Sequence, residues 1–335
     1  MVDPLAVARS RLIGAVAGPF GVARFPEEQY TDPPGDPGLF GPGSVTWRVH
    51  SDPAMVIGGL SALMLQALHP LALAGVFDHS NFKAHPLRRL SRTASFVRAT
   101  TYGSTPVAHA VIDAVAGLHS RVVGVAPSGQ AYSARDPELL RWVHVAEVSS
   151  FLRAHQRYHL HPVRGDDLDT YYAETAIVAE LLGATEVPRT RDDVRAYFAS
   201  VRPHLAVSER TRETLSFILQ PVGTDPLSQS ASRVLGLAAV GLLPRWARDL
   251  YGVGYPPLVE RTVVAPAAAA LLITLRWAAH PNPILAQATA RAAAAPLPGP
   301  AARPVASRPR TTTRRPRRPP AAGGRSRPSR PAQAG

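Results

Sequence analysis

The sequence predicts an all-α protein, built as a single multi-helix domain with a basic tail. Three observations carry that prediction. Pro stands just behind Asp, Ser or Thr at several points, as in "RDPELL" and "STPVAH", which is how helices start. Apolar residues recur at helical spacing between those starts. No stretch alternates apolar and polar residues in the manner of a half-buried strand.

The elements follow in order. Residues 1–44 read as an irregular lead-in, because Pro, Gly and Asp crowd positions 25 to 46. In "SDPAM", Asp52 is the expected N-cap and Pro53 the first helical residue. "PAMVIGGLSALMLQALHPLALAGVF" then runs 25 residues without a charge. That length could span a bilayer. Gln66, His69, Pro70 and three glycines instead favour a buried core helix broken near Pro70.

"HPLRRLSRTASF" follows at 85–96. Arg89, Arg92 and Thr93 fall on one helix face, with Leu90, Ala94 and Val97 on another. In "YGSTPVAHAVIDAVAGLHSRVVG", Gly103 closes the previous helix, Thr105 caps, Pro106 starts and Gly124 stops the next. On that helix His119 is expected to point inward with Val111, Val115, Leu118 and Val122. A helix starts at Asp136-Pro137, another ends at Gly183, and Thr190 with Asp193 forms a capping box. Helices at about 208–220, 229–253 and 258–280 complete the domain, which ends near 290.

The net charge of +13 belongs mostly to the tail. Residues 301–335 hold ten Arg and no acid, which leaves 27 basic and 24 acidic residues before them, a net of +3. Residues 291–335 are therefore expected to be a disordered Pro/Arg-rich segment, unable to bury a core. Specific nucleic-acid binding is not expected, since only composition points to it. Lys83 is the sole lysine, so the Arg excess fits a compositional bias. The N-terminal "ARSRLIGAVAGPFGVARF" ends without a clean small-x-small cleavage site. A cytoplasmic protein without a transmembrane segment is the expectation, with export or membrane association the lesser alternative. With no cysteine, disulfides, thiolate-ligated metals and covalently attached haem are excluded.

Twelve histidines are then the ligand pool. His119 lies on an apolar face, where a satisfied core histidine and a metal ligand with Nδ1–H bonded one turn back are both open. His155 and His159 are spaced i, i+4, but Gln156 replaces the glutamate of a zinc-protease motif, so an exposed polar face is the favoured reading. His144 and Glu147, with Glu174 in "YYAE", sketch an incomplete carboxylate site.

Four segments in order carry a family resemblance: "DPAMVIGGLSALMLQALHPLALAGVFDHSNFKAHPLRRLSRTASFVRATTYGS", "LHSRVVG", "YSARDPELLRWVHVAEV" and "YYAE". From about 45 to 283 the chain resembles the MpaB-type and rubber oxygenase catalytic family, which includes the latex clearing proteins. The resemblance implies an all-α fold enclosing non-covalently bound haem b. It implies that His119, in H-x-x-V-x-G with Val122 and Gly124, is the proximal iron ligand. It also places Arg89, Arg92 and Thr93, which match the family's Arg-x-x-Lys-Thr helix, beside the haem as catalytic and cofactor-binding residues. Arg92 stands where the rubber oxygenases have lysine, and arginine does not give up its proton. Asp78 is the nearest acid to the upstream acidic residue of those enzymes. The implied partners are O2 and an apolar, isoprenoid or lipid-like alkene. A helical haem- or ligand-binding protein without oxygenase activity is the alternative.

Overall fold

The computed structural model describes residues 28–80 and 86–295, with a few isolated positions before them. From residue 28 onward the described elements are α1 (Glu28–Thr31), α2 (Val45–His50), α3 (Met55–Gln66), α4 (Pro70–His79), α5 (Pro86–Tyr102) and α6 (Thr105–His119). A hairpin of β1 (Val123–Val125) and β2 (Ala131–Ser133) follows, with Gly124 opposite Tyr132. Next come α7 (Pro137–Tyr158), α8 (Asp167–Leu181), α9 (Arg191–Val201), α10 (Glu209–Leu219), α11 (Pro226–Leu242) and α12 (Arg245–Tyr251). The last two helices are α13 (Pro257–Ala279), which contains a π-helical stretch at Glu260–Val264, and α14 (Pro283–Ala293). Among the described residues the fold is all-α apart from the hairpin.

The starts obey local chemistry. Asp136 accepts from the Glu138 amide at 2.9 Å, satisfying one of the amides that open α7. Thr190 and Asp193 cap each other's amides at the start of α9. Asp225 accepts from Ser228 N at 2.9 Å and opens α11.

The core is centred on α3 packed along α7. Gly58 lets them approach: a Cβ there would lie 3.0 Å from the Phe151 ring and 3.1 Å from the Ser150 carbonyl. At the other end Gln66 Nε2 donates to the Val143 carbonyl at 2.9 Å, and Trp142 Nε1 donates to the Gln66 carbonyl at 3.1 Å. Buried Ile57, Met64, Leu65, Val145 and Leu152 fill the seam. The uncharged run 53–77 does break at Pro70: α3 and α4 meet at 103°. Pro70 supplies no amide and disfavours helix at His69. The exposed apolar helix lies elsewhere. By length and composition α13 is long enough to cross a membrane, and only 22% of its apolar window is buried.

Several local expectations are corrected. The strand pair at 123–133 was not expected. Helix α6 ends at His119, and Gly124 lies in β1, where a Cβ would come within 2.5 Å of the Tyr132 hydroxyl. Ser104 is the N-cap of α6 by position; Asp36 accepts from Thr105 N at 3.0 Å and from its hydroxyl at 2.9 Å. Asp52 precedes α3 by three residues and is gripped by Arg276 at 2.7 and 2.9 Å. The helix expected over 229–253 is two, parted at Pro244.

The lead-in and the last helix pack together. Arg291, almost fully buried, donates to the carbonyls of Tyr30 (3.2 Å), Asp36 (2.9 Å), Tyr102 (2.9 Å) and Gly103 (3.3 Å). Regular helix therefore continues to Ala293. The basic tail beyond 295 and residues 81–85 lie outside the described residues.

Candidate functional site

A cavity of about 590 Å³ lies among α3, α4, α5, α7 and α10. That volume is typical of small-molecule and cofactor sites. Its walls are mainly apolar, with Leu60 and Leu63 from α3, Leu71 from α4, Leu139 from α7, and Phe217 and Ile218 from α10. Three of the expected polar residues face it: Arg89 and Thr93 from α5, and His119 from the end of α6.

Each is placed by its own helix. Arg89 and Thr93 are one turn apart, and the Thr93 hydroxyl donates to the Arg89 carbonyl at 3.3 Å. That bond anchors Thr93 locally and leaves its oxygen lone pairs for a ligand. Burial lowers the Arg89 pKa, the mark of a guanidinium removed from water. No carboxylate pairs with it among the described residues. Arg92 departs from the expectation. It is exposed and does not line the cavity; in helical projection it stands about 60° round α5 from Arg89 and about 100° from Thr93.

His119 also departs in part from its expected surroundings. Leu118 is 57% exposed, and the only buried residues of α6 are Ala108 and Ile112. His119 therefore faces the cavity and not an apolar core. Its Nδ1 is buried without a hydrogen-bond partner, so the expected bond to a carbonyl one turn back is absent. Burial lowers its pKa, which keeps the imidazole neutral and its free nitrogen able to ligate.

A hydrogen-bonded brace closes one wall. Tyr132 donates its hydroxyl to Asp78 at 2.7 Å, and Arg210 reaches the other oxygen of Asp78 at 3.3 Å. Burial, followed by the Asp78 carboxylate, pushes the Tyr132 pKa up to about 12. His79 Nε2 lies 3.1 Å from the Val123 carbonyl. Asp78 thus ties α4 to the hairpin and to α10, and it is not part of the cavity lining. No local pattern announces this brace, since its members are up to 132 residues apart.

The other histidine and carboxylate candidates separate. Glu174 accepts from Val45 N (3.2 Å), Thr46 N (2.8 Å) and Thr46 Oγ1 (2.7 Å), so it caps α2 and forms no site with Glu147. Glu147 and His144 are partly buried on α7. Desolvation raises the Glu147 pKa to about 7 and lowers that of His144 to about 4. His155 is 2% exposed and stacks on His159 with centroids 4.3 Å apart, which overturns the reading of an exposed polar face. Among the described residues no group of three or more His, Asp and Glu side chains is arranged to hold a metal ion. A lone imidazole is a different case, since haem iron asks the protein for one axial ligand.

No curated protein and no solved structure matches the chain. A family model does, over residues 47–277: ER-bound oxygenase mpaB/B′/Rubber oxygenase, catalytic domain. That match spans well over half of the chain and contains every described residue of the cavity, so the chain belongs to the mpaB/rubber oxygenase catalytic-domain family.

Proposed function

We propose that the protein is a haem b-dependent oxygenase that uses O2 on an apolar, isoprenoid or lipid-like alkene, with oxidative C=C cleavage as the reaction. One observation carries the reading: His119, Arg89 and Thr93 converge on a single apolar cavity from two helices. The residues suit the cofactor. A neutral imidazole with a buried, unpartnered Nδ1 is the donor that haem iron needs, and a desolvated guanidinium is the partner that a propionate needs.

His119 would hold the iron and Arg89 would pair a propionate. Bound haem supplies the redox centre at which O2 is activated. The remaining work falls to the chain. The leucines and Phe217 keep water out and receive an apolar substrate by burial of its surface. The Thr93 hydroxyl orients a polar ligand beside them. Asp78, already engaged by Tyr132 and Arg210, holds the wall.

The test is a pyridine haemochrome assay on the purified protein, followed by aerobic incubation with isoprenoid oligomers. The reading expects one haem b per chain and carbonyl products that require O2. A protein that takes up no haem contradicts it. Haem without any oxidised product instead supports a haem-binding module.

A further inference from the structure

The outer face of α13 is an apolar stripe that the fold leaves open. Val259, Val263, Pro266, Ala270, Ile273 and Trp277 follow one another at steps of three and four residues, and so lie along one side of the helix. Val263 is 59%, Ile273 54% and Trp277 45% exposed. By helical rise the stripe is about 27 Å long. The opposite side of the same helix is fixed: Val264, Ala268, Leu272 and Leu275 are buried in the main core. The helix is thus held to the domain along one side and open along the other.

The unpaired charge on this helix is basic. Between Pro257 and Ala279 the sole acid is Glu260, which is turned inward and paired with Arg157 at 2.7 Å. Arg276 is likewise spent on Asp52. Arg261 is exposed near one end, and the Arg9 guanidinium lies 4.8 Å over the Trp277 ring at the other. Beyond residue 295 another 40 residues follow, of which 301–335 carry ten Arg and no acid.

We propose that this stripe lies in the surface of an anionic lipid bilayer, with the arginine-rich residues 301–335 held by the headgroups. Apolar side chains and an indole ring in the plane of the interface, flanked by cations, form the pattern of a helix that rests on a membrane. Neither half is enough alone. The apolar contact is short, and a polybasic segment binds only where the lipid is charged and the salt is low. Together they give attachment that needs both an exposed apolar face and an anionic leaflet.

Flotation of the full chain with vesicles of phosphatidylcholine, with and without phosphatidylglycerol, tests this. The parent should float with the anionic vesicles, and its Trp fluorescence should shift to the blue, a shift that Trp277→Phe removes. The double variant Val263→Asp/Ile273→Asp, at two exposed positions, should keep its far-UV spectrum and lose at least tenfold in vesicle affinity. The quadruple variant Arg314→Gln/Arg315→Gln/Arg317→Gln/Arg318→Gln should float less and lose most of its salt dependence. A parent that floats with neither vesicle overturns the proposal. So does a double variant that floats like the parent. If the double variant instead abolishes a dimer, with no vesicle binding by the parent, the face belongs to a second copy. If it melts far below the parent and vesicles bind neither, the face is covered by the chain's own apolar residues 12–22. Both of those results also overturn it.

Discussion

Thr93 stands one turn after Arg89 on α5, and its hydroxyl donates to the Arg89 carbonyl at 3.3 Å. Their i, i+4 spacing puts both side chains on the side of α5 that borders the cavity. Arg92, one residue before Thr93, does not line the cavity. The three residues were grouped by spacing, but the cavity accepts only the i, i+4 pair.

Substitutions on α5 should divide accordingly. Arg89→Ala removes a desolvated cation from the cavity, so haem retention should fall while the helical signal holds. Thr93→Val keeps the shape, so haem content should stay near the parent's and turnover should fall. Arg92→Ala should leave both within twofold of the parent. Haem content by haemochrome assay and product formation rate separate these outcomes. A loss at Arg92 equal to that at Arg89 would return the whole triplet to the site.

Arg276 and Asp52 join α13 to the turn before α3 through bonds of 2.7 and 2.9 Å, and Arg276 also donates to the Tyr158 carbonyl at 2.7 Å. Asp52 is almost fully buried. Arg276→Ala should therefore cost about 3 kcal/mol, because it leaves the buried carboxylate only the Ala54 amide at 2.8 Å and His159 at 3.7 Å. Urea unfolding measures it. The double variant Arg276→Met/Asp52→Asn should recover part of that loss, since no charge is then stranded.

Glu147 gives the protein a pH dependence with a definite sign. Its folded-state pKa is raised to about 7 by desolvation, above the ordinary 4.5. The folded state thus holds the proton longer than the unfolded chain. The stabilisation is complete below about pH 4.5 and is lost as pH rises through 7. Glu147→Gln cannot ionise, so its advantage over the parent should be near zero at pH 4.5 and largest above pH 7. The desolvated histidines act oppositely: His50 is lowered to about 3, and His69, His144 and His155 to about 4. Their contribution is present above about 6.5 and lost on acidification, in parent and variant alike. Urea midpoints at pH 5 and pH 8 check the difference. An equal gap at both would show that Glu147 does not titrate in this range.

The helices were legible because their punctuation is local. Asp136-Pro137 and the box of Thr190 with Asp193 mark starts that need no distant partner. The hairpin was not, because Val123–Val125 and Ala131–Ser133 are three residues each and the two valines point outward, with no alternation to read. Glu174 looked like a metal or catalytic acid until its partners, 128 and 129 residues away, showed it to be a cap. The open side of α13 was hidden by its composition, since a helix that is apolar all round reads as buried. His119, Arg89 and Thr93 could be assembled in advance only through the family resemblance. Nothing in their spacing says that the end of α6 and the start of α5 border one cavity.

The most direct measurement is the spectrum of His119→Gly with and without imidazole. If His119 is the iron ligand, the variant should lose its bound haem and its Soret band while keeping its far-UV signal. Millimolar imidazole, filling the space the side chain left, should restore both haem binding and the parent-like spectrum. A variant that keeps one haem per chain with an unchanged spectrum, indifferent to imidazole, would contradict the assignment of His119 and the account built on it.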